Sequence, residues 1–153
     1  MRLATLMVLM VAMAGQVTTG AAGGSGVTFI PAAQVAAAFE KGQPLVETAG
    51  YKVHASRREG SGMAEVHVRD TDIIYVLQGT ATLVTGGQVV DGRVTAVDEI
   101  RGASIAGGVE QPLGKGDVFI VPNGVPHLFT KVQAPFTYYV VKATSAGAER
   151  GTR

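Results

Sequence analysis

Cysteine is absent from the 153-residue chain, and this absence removes several kinds of chemistry at once. Without thiols there are no disulfides, thiolate-bound zinc sites, iron–sulfur clusters or cysteine nucleophiles. An excess of either charge is absent too: 13 basic and 12 acidic residues leave a formal charge of +1, which offers no basic field for nucleic acid or anionic lipid. Histidine is scarce, with only His54, His67 and His127. Metal or acid–base chemistry therefore has to draw on a short list of residues, with at most three imidazoles.

The apolar run at residues 3–14 is shorter than the roughly 20 residues that cross a bilayer. With Arg2 before it and the small-x-small sequence Ala-Met-Ala at its end, the run is typical of a signal peptide. We predict a cleaved leader over 1–14, with an uncleaved N-terminal anchor as the alternative. We therefore expect an exported protein, periplasmic or secreted, with no membrane span after cleavage. The rest of the chain is predicted to form a flexible linker, one folded domain and a disordered tail, over 15–26, 27–143 and 144–153.

One helix is predicted at the start of the domain, because Pro31 suits the first helical position and Gly42 a helix end, with an apolar stripe between them. After Pro44, short runs rich in Val, Ile, Tyr and Thr alternate with Gly, Asp, Asn or Pro, which is typical of strands. The predicted strands are 45–57, 63–69, 72–78, 80–85, 88–97, 103–106, 117–121, 127–132 and 135–142. This pattern predicts an all-β sandwich or barrel with one short N-terminal helix.

Two parts of this pattern raise questions about packing. The runs 72–78 and 117–121 are apolar on both faces, so we expect cover from the opposing sheet inside and from the helix or a partner subunit outside. The Gly-rich segment 86–112 is predicted to be a protruding hairpin or lid, or else to pack on the barrel or a neighbour. Its Glu99 and Arg101 reach either the mouth of a site or a neighbouring subunit, and the sequence leaves both open.

Candidate chemistry is concentrated in two stretches. On a strand, Glu65 and His67 share a face because they are two residues apart, and a turn at 69–71 would return Asp72 to the neighbourhood of His67. In the second stretch a strand is followed by a Pro/Gly turn, and His127 begins the next strand.

These stretches resemble the two sequence motifs of the cupin superfamily. Gly116, Pro122, Gly124 and His127 match every fixed position of G-x5-P-x-G-x2-H, although Lys131 replaces the asparagine that usually follows. In the first motif, H-x-H-x3–4-E-x6-G, the residues His67, Asp72 and Gly79 keep the spacing, with Asp72 in place of Glu and Glu65 in place of the first His. The resemblance implies a jelly-roll β-barrel and, as in other cupins, a homodimer.

In cupins the motif positions surround one divalent metal ion, so the resemblance implies Glu65, His67, Asp72 and His127 as metal ligands. Oxygen and nitrogen ligands without sulfur favour Mn²⁺ or Fe²⁺, with Zn²⁺, Ni²⁺ or Cu²⁺ as alternatives. Other roles stay open. Asp72 is one methylene shorter than Glu and would otherwise fix a turn or pair with a lysine. Glu65 would otherwise form an ion pair with an arginine that lines the barrel, for which the candidates are Arg57, Arg58 and Arg69.

The function implied by this resemblance is that of a metal-dependent enzyme acting on a small molecule, of oxygenase, isomerase or lyase type. Glu65 or Asp72, whichever is not a ligand, is the candidate general base. Phe129 and Lys131 share a predicted strand face with His127 and are candidates for substrate binding, as is Tyr75. The alternatives are a non-enzymatic module that binds a small ligand and a structural dimer with a vestigial site. In both alternatives the barrel would hold no metal ion, and its buried polar side chains would bond to one another.

Overall fold

A computed structural model describes residues 26–146, which form one helix and eleven strands. The predicted leader 1–14 lies outside the described residues, as do most of the predicted linker and the end of the predicted tail. Within residues 26–146, no helix has the length and apolar character needed to cross a membrane. The elements are α1 (Ala32–Lys41), β1 (Gln43–Glu47), β2 (Tyr51–Arg58), β3 (Ala64–His67), β4 (Asp70–Thr85), β5 (Gln88–Val90), β6 (Arg93–Ala96), β7 (Glu99–Gly102), β8 (Ser104–Ala106), β9 (Val109–Leu113), β10 (Val118–Val121) and β11 (His127–Thr144).

The predicted helix is confirmed, with its start one residue later than expected. Pro31 is the N-cap, with an extended backbone, and its carbonyl accepts hydrogen bonds from the amides of Gln34 and Val35. Gly42 ends the helix in the left-handed conformation at φ 66°, which glycine adopts without steric cost. The helix packs mainly against β1 and β2, and Phe39 meets Tyr139 edge to face with ring centroids 4.8 Å apart.

The strands form a curled antiparallel sheet, which confirms the all-β prediction. Nine strands belong to this sheet: β1-β2-β11-β3-β7-β6 form one path, and β4 pairs with β11, β9 and β10. A separate pair is formed by β5 and β8. The two longest strands, β4 and β11, pair from His127 opposite Thr85 to Thr144 opposite Asp70.

Several predicted strand boundaries were wrong. The runs 72–78 and 80–85 form the single strand β4, and 127–132 and 135–142 form β11, because Gly79 and the register shifts after Thr130 bend these strands without ending them. A turn that Thr48 stabilises divides 45–57 into β1 and β2. The run 88–97 is two strands, and the prediction missed β7 and β9, whose short, Gly-flanked sequences carry little strand signal.

Gly79, a fixed position of the first motif, is required by the geometry of β4. Its φ is +80°, and a Cβ atom there would lie 2.6 Å from the carbonyl oxygen of Pro135 and 3.0 Å from that of Gln133. Only glycine therefore allows β11 to bend so closely across β4.

The core lies between the inner faces of the strands. Ile74, Val76, Leu83 and Phe136 are its largest fully buried side chains, and Phe129 and Tyr138 belong to the same cluster. Alternation along β4 places Asp72, Ile74 and Val76 inside and their neighbours outside. Four apolar side chains consequently form an exposed outer strip of cross-strand pairs, Tyr75 with Val118 and Ile73 with Ile120. The expected cover from the helix is not found at this strip, since α1 packs over β1 and β2.

Candidate metal centre

Three of the four predicted ligands come together inside the barrel. Glu65 and His67 project from the same face of β3, and Glu65 lies directly opposite His127 of β11. One ligand atom from each of Glu65, His67 and His127 lies within 4.8 Å of the other two. The two imidazole centroids are 5.1 Å apart, and both histidines are buried.

The second motif places His127 by fastening its turn to the end of β3. Gly124, at φ +78°, donates its backbone N–H to the carbonyl oxygen of His67 at 2.8 Å. The side-chain amide of Asn123 donates to the carbonyl oxygen of Val68 at 3.1 Å. The turn thus connects the two motifs and fixes the start of β11 beside His67.

Hydrogen bonds at Nδ1 orient both rings so that Nε2 points into the cluster, where Nε2 of His67 also contacts Nζ of Lys142 at 2.7 Å. Nδ1 of His127 donates to the carbonyl oxygen of Val125 at 3.2 Å, and Nδ1 of His67 lies 2.6 Å from Oε2 of Glu99. Such partners fix the tautomer of a metal-binding histidine. Burial lowers the pKa of His127 below 6.5, although the bond to Val125 and the charge of Asp72 oppose it. His127 is therefore neutral at pH 7, as a metal ligand must be.

The pKa of His67 is shifted in the opposite direction. Burial lowers it and the charge of Lys142 opposes protonation, but the hydrogen bond and charge of Asp72, together with Glu99, outweigh them and raise the pKa above 6.5. Above that pKa the ring is neutral, with its proton on Nδ1 toward Glu99 and a lone pair on Nε2.

Glu65 forms the ion pair with an arginine that the sequence left open, and it also faces the imidazoles. Its Oε1 accepts a hydrogen bond from Nη1 of Arg101 at 3.2 Å and lies 3.6 Å from Nη2 of Arg58. Its Oε2 faces Nε2 of His67 at 3.7 Å. One oxygen is thus held by arginines while the other faces the imidazoles. The other two arginine candidates bond elsewhere, Arg57 to Glu59 and Arg69 to the carbonyl oxygen of Ser145.

Asp72 pairs with a lysine, the alternative considered above. Nζ of Lys142 donates to Oδ1 and Oδ2 of Asp72 at 2.9 and 2.8 Å. Oδ2 also lies 3.4 Å from Nε2 of His67 and 3.9 Å from Nε2 of His127. Burial alone would raise the pKa of Asp72, but His67 and Lys142 lower it below 3.8, so the carboxyl group is ionised at neutral pH. Asp72 as a metal ligand stays a prediction.

Lys142, which contacts both His67 and Asp72, was not among the residues predicted for the site. Lys142 follows Tyr138 and Val140 at a spacing of two on β11, and both of those residues are buried inside the barrel. This alternation was the available signal, because it places the lysine on the inner face. The alternation could not identify the partner of Lys142, because Asp72 lies 70 residues away along the chain.

The segment 86–112 contributes directly to the site. Its β7 pairs with β3 so that Glu99 lies opposite His67 and Arg101 opposite Glu65. Arg101 and Glu99 also form an ion pair, with Nη2 2.8 Å from Oε1. Glu99 and Arg101 therefore lie at the mouth of the site, which is one of the two locations that the sequence left open.

A cavity of about 630 Å³ opens over the cluster, a volume typical of small-molecule sites. Ile74, Phe129, Tyr138 and Val140 provide its apolar lining. The guanidinium group of Arg58 lies over the ring of Phe129, 4.4 Å from its centroid, and donates from Nε to the hydroxyl of Tyr138 at 3.0 Å. Polar groups thus surround an aromatic floor.

The other residues singled out from the sequence have mixed positions. Phe129 lines the cavity, as does His54, which bonds to Glu47 at 2.9 Å. Lys131 has φ +49°, which breaks the alternation of β11, and its Nζ bonds to Glu110 on the exposed surface. Tyr75 lies on the outer face of β4. The roles of Phe129, Lys131 and Tyr75 in substrate binding stay predictions.

These features define a class of protein: an antiparallel β-barrel that carries two buried imidazoles and a carboxylate beside a small-molecule cavity. The family model described as Cupin matches residues 23–152, and the chain belongs to the cupin family. This confirms the resemblance inferred from the motifs. No curated protein matches the chain.

Solved structures share the fold at low sequence identity. BH2720 from Bacillus halodurans is 12% identical over 77% of this chain and 82% of its own, with a TM-score of 0.53. The hydroquinone 1,2-dioxygenase PnpCD, solved with Cd²⁺ and 4-hydroxybenzonitrile, is 14% identical over 70% and 65%, with a TM-score of 0.50. KdgF from Halomonas sp. is 16% identical over 68% and 79%, with a TM-score of 0.48.

Proposed function

We propose that this cupin binds a divalent metal ion through Glu65, His67 and His127 and acts on a small-molecule substrate in the adjoining cavity. The observation that carries the proposal is the convergence of three ligand atoms within 4.8 Å, with both histidines bonded at Nδ1. Two imidazole nitrogens and a carboxylate fit Mn²⁺ or Fe²⁺, and Zn²⁺, Ni²⁺ and Cu²⁺ also accept such ligands.

The residues around the site support chemistry of oxygenase, isomerase or lyase type. A bound divalent ion supplies a Lewis acid that polarises a substrate oxygen or activates water. With Glu65 as a ligand, Asp72 is the remaining general-base candidate, and it is ionised at neutral pH beside both histidines. Phe129 and Tyr138 give one side of the cavity an aromatic surface that could contact an apolar part of a substrate.

A second candidate function is a non-enzymatic module that binds a small ligand in the same cavity. The observation that favours it is the contact of Lys142 with His67 and Asp72, which gives these buried groups a partner within the chain itself. Buried polar groups that are paired in this way need no metal ion for stability.

Elemental analysis of protein purified without added metal or chelator separates the two functions. The metalloenzyme predicts about one equivalent of a transition metal per chain and a higher melting temperature after addition of Mn²⁺ or Fe²⁺. Absence of stoichiometric metal together with an unchanged melting temperature would favour the binding module.

The substitution Glu65→Gln is expected to weaken metal binding about 10-fold or more, since it replaces the anionic ligand with a neutral amide. Isothermal titration with Mn²⁺ measures the effect. Glu59→Gln is the matched control, because Glu59 pairs with Arg57 at an exposed position. Equal affinity in both variants would assign Glu65 to its arginine pairs or to catalysis.

We further propose export of the protein through the leader 1–14 and homodimerisation through the exposed strip of Ile73, Tyr75, Val118 and Ile120. Export is supported by the sequence of the leader, and N-terminal sequencing of secreted or periplasmic protein tests it.

Dimerisation is supported by the apolar pairing across β4 and its edge strand β10. A monomeric mass by light scattering would refute it.

A further inference from the structure

We propose that Lys142 is an internal cation that competes with the divalent metal ion, so that its displacement sets the metal affinity of the site. This inference rests on the proposed function because it concerns the same cluster. It adds a controlling residue outside both cupin motifs.

Lys142 contacts the proposed ligand His67 and the carboxylate of Asp72, which the cupin motif also implies as a ligand. A lysine ammonium has three N–H donors, and here they face Nε2 of His67 at 2.7 Å and the two oxygens of Asp72. The lysine side chain is only 14% exposed. Its contact with His67 uses the lone pair with which the imidazole would bind a metal ion.

The register of three strands fixes this arrangement. Lys142 of β11 lies opposite Asp72 of β4 on one side and opposite Lys52 of β2 on the other. The two lysines nevertheless have different partners. Nζ of Lys142 bonds to Asp72, whereas Nζ of Lys52 bonds to Asp70 at 2.6 Å. Hydrogen bonds thus connect Lys142, and not Lys52, to a predicted ligand, and the pair offers a matched comparison within one sheet.

Binding of a divalent ion therefore has a cost at Lys142. If the ammonium stays, it repels the ion, because like charges a few ångströms apart in a buried site interact strongly. If it moves away, its bonds to His67 and Asp72 are lost. Without the lysine charge, Asp72 is released toward the two histidines, since its Oδ2 already lies 3.4 and 3.9 Å from their Nε2 atoms.

The test is isothermal titration of Mn²⁺ and Zn²⁺ into the full-length protein and two variants. Lys142→Met keeps the length of the side chain and removes the charge, and it is expected to tighten metal binding about 10-fold or more, the scale reported by substitutions of residues that contact metal ligands. Lys52→Met removes the same charge nearby and is expected to change the affinity less than about threefold, because surface-type pairs have small effects.

Melting temperature is the second measurement. Without added metal, Lys142→Met is expected to melt below the wild type because Asp72 loses its cation, and added Mn²⁺ should raise its melting temperature more than that of the wild type. If Lys142→Met does not fold, Lys142→Met/Asp72→Asn removes both charges and should still bind Mn²⁺ more tightly than the wild type.

The outcomes distinguish the two proposals. Metal binding by the wild type with equal or weaker binding by both Lys142 variants overturns the competition and keeps the metal function. Binding by the Lys142 variants alone supports the competition and refutes metal binding by the natural chain. No binding by any of the proteins overturns both.

Discussion

Replacement of His127 by alanine is expected to abolish binding of Mn²⁺ and Zn²⁺ at micromolar concentrations. The imidazole is buried, its Nδ1 is already bonded to Val125, and its low pKa keeps it neutral. Of the three proposed ligands this leaves only Glu65 and His67, a set too small for a stable site. Isothermal titration and elemental analysis of the purified variant measure the effect.

Two further variants make this test specific. His127→Gln keeps most of the side-chain volume and should also lose the metal, since an amide is a poor substitute for imidazole. His54→Ala is the control: His54 lines the same cavity but bonds to Glu47, outside the three-residue cluster. We expect it to keep the wild-type affinity within about threefold. Stoichiometric metal in folded His127→Ala would refute the site.

Phe136→Ala is expected to lower the free energy of unfolding by about 3–5 kcal/mol, the usual cost of removing a buried aromatic ring. Phe136 is 0% exposed, and its ring centroid lies 5.7 Å from that of Phe129 and 5.3 Å from that of Tyr138. Since a typical domain is stable by only about 5–15 kcal/mol, this loss is a large part of the total.

Urea denaturation followed by circular dichroism measures the effect of Phe136→Ala. The chain contains its own control in Phe29, which is 78% exposed, so Phe29→Ala should change stability by less than about 0.5 kcal/mol. Similar midpoints for the two variants would show that the aromatic cluster under the cavity is not the main source of stability.

Local patterns predicted the parts of the structure that depend on neighbours in sequence. Gly42 identified the end of the helix, and the two-residue period correctly placed Glu65 and His67 on one face of β3. The spacing from Gly116 to His127 identified a turn whose docking on β3 requires its glycine. These features depend on the backbone conformation of a few neighbouring residues, and short sequence patterns predict that conformation.

The partners of these residues depend on strand register, which local patterns do not contain. Lys142 meets Asp72, and Glu99 meets His67, only because β11 pairs with β4 and β7 with β3 in one particular alignment. Lys131 illustrates the reverse error: alternation predicted that it would share a face with His127, but its positive φ lies within a register shift of β11.

The pairing of β11 with β2, β3 and β4 has a consequence for the order of events during synthesis. Among residues 26–146, β11 is the last strand, and it carries both His127 and Lys142. A chain still emerging from the ribosome therefore has neither the second imidazole nor the closing strand, and its earlier strands have unpaired edges. Because distant segments must meet, folding is expected to be slow by the standard of helical domains. The proposed metal site is therefore incomplete until β11 has been synthesised.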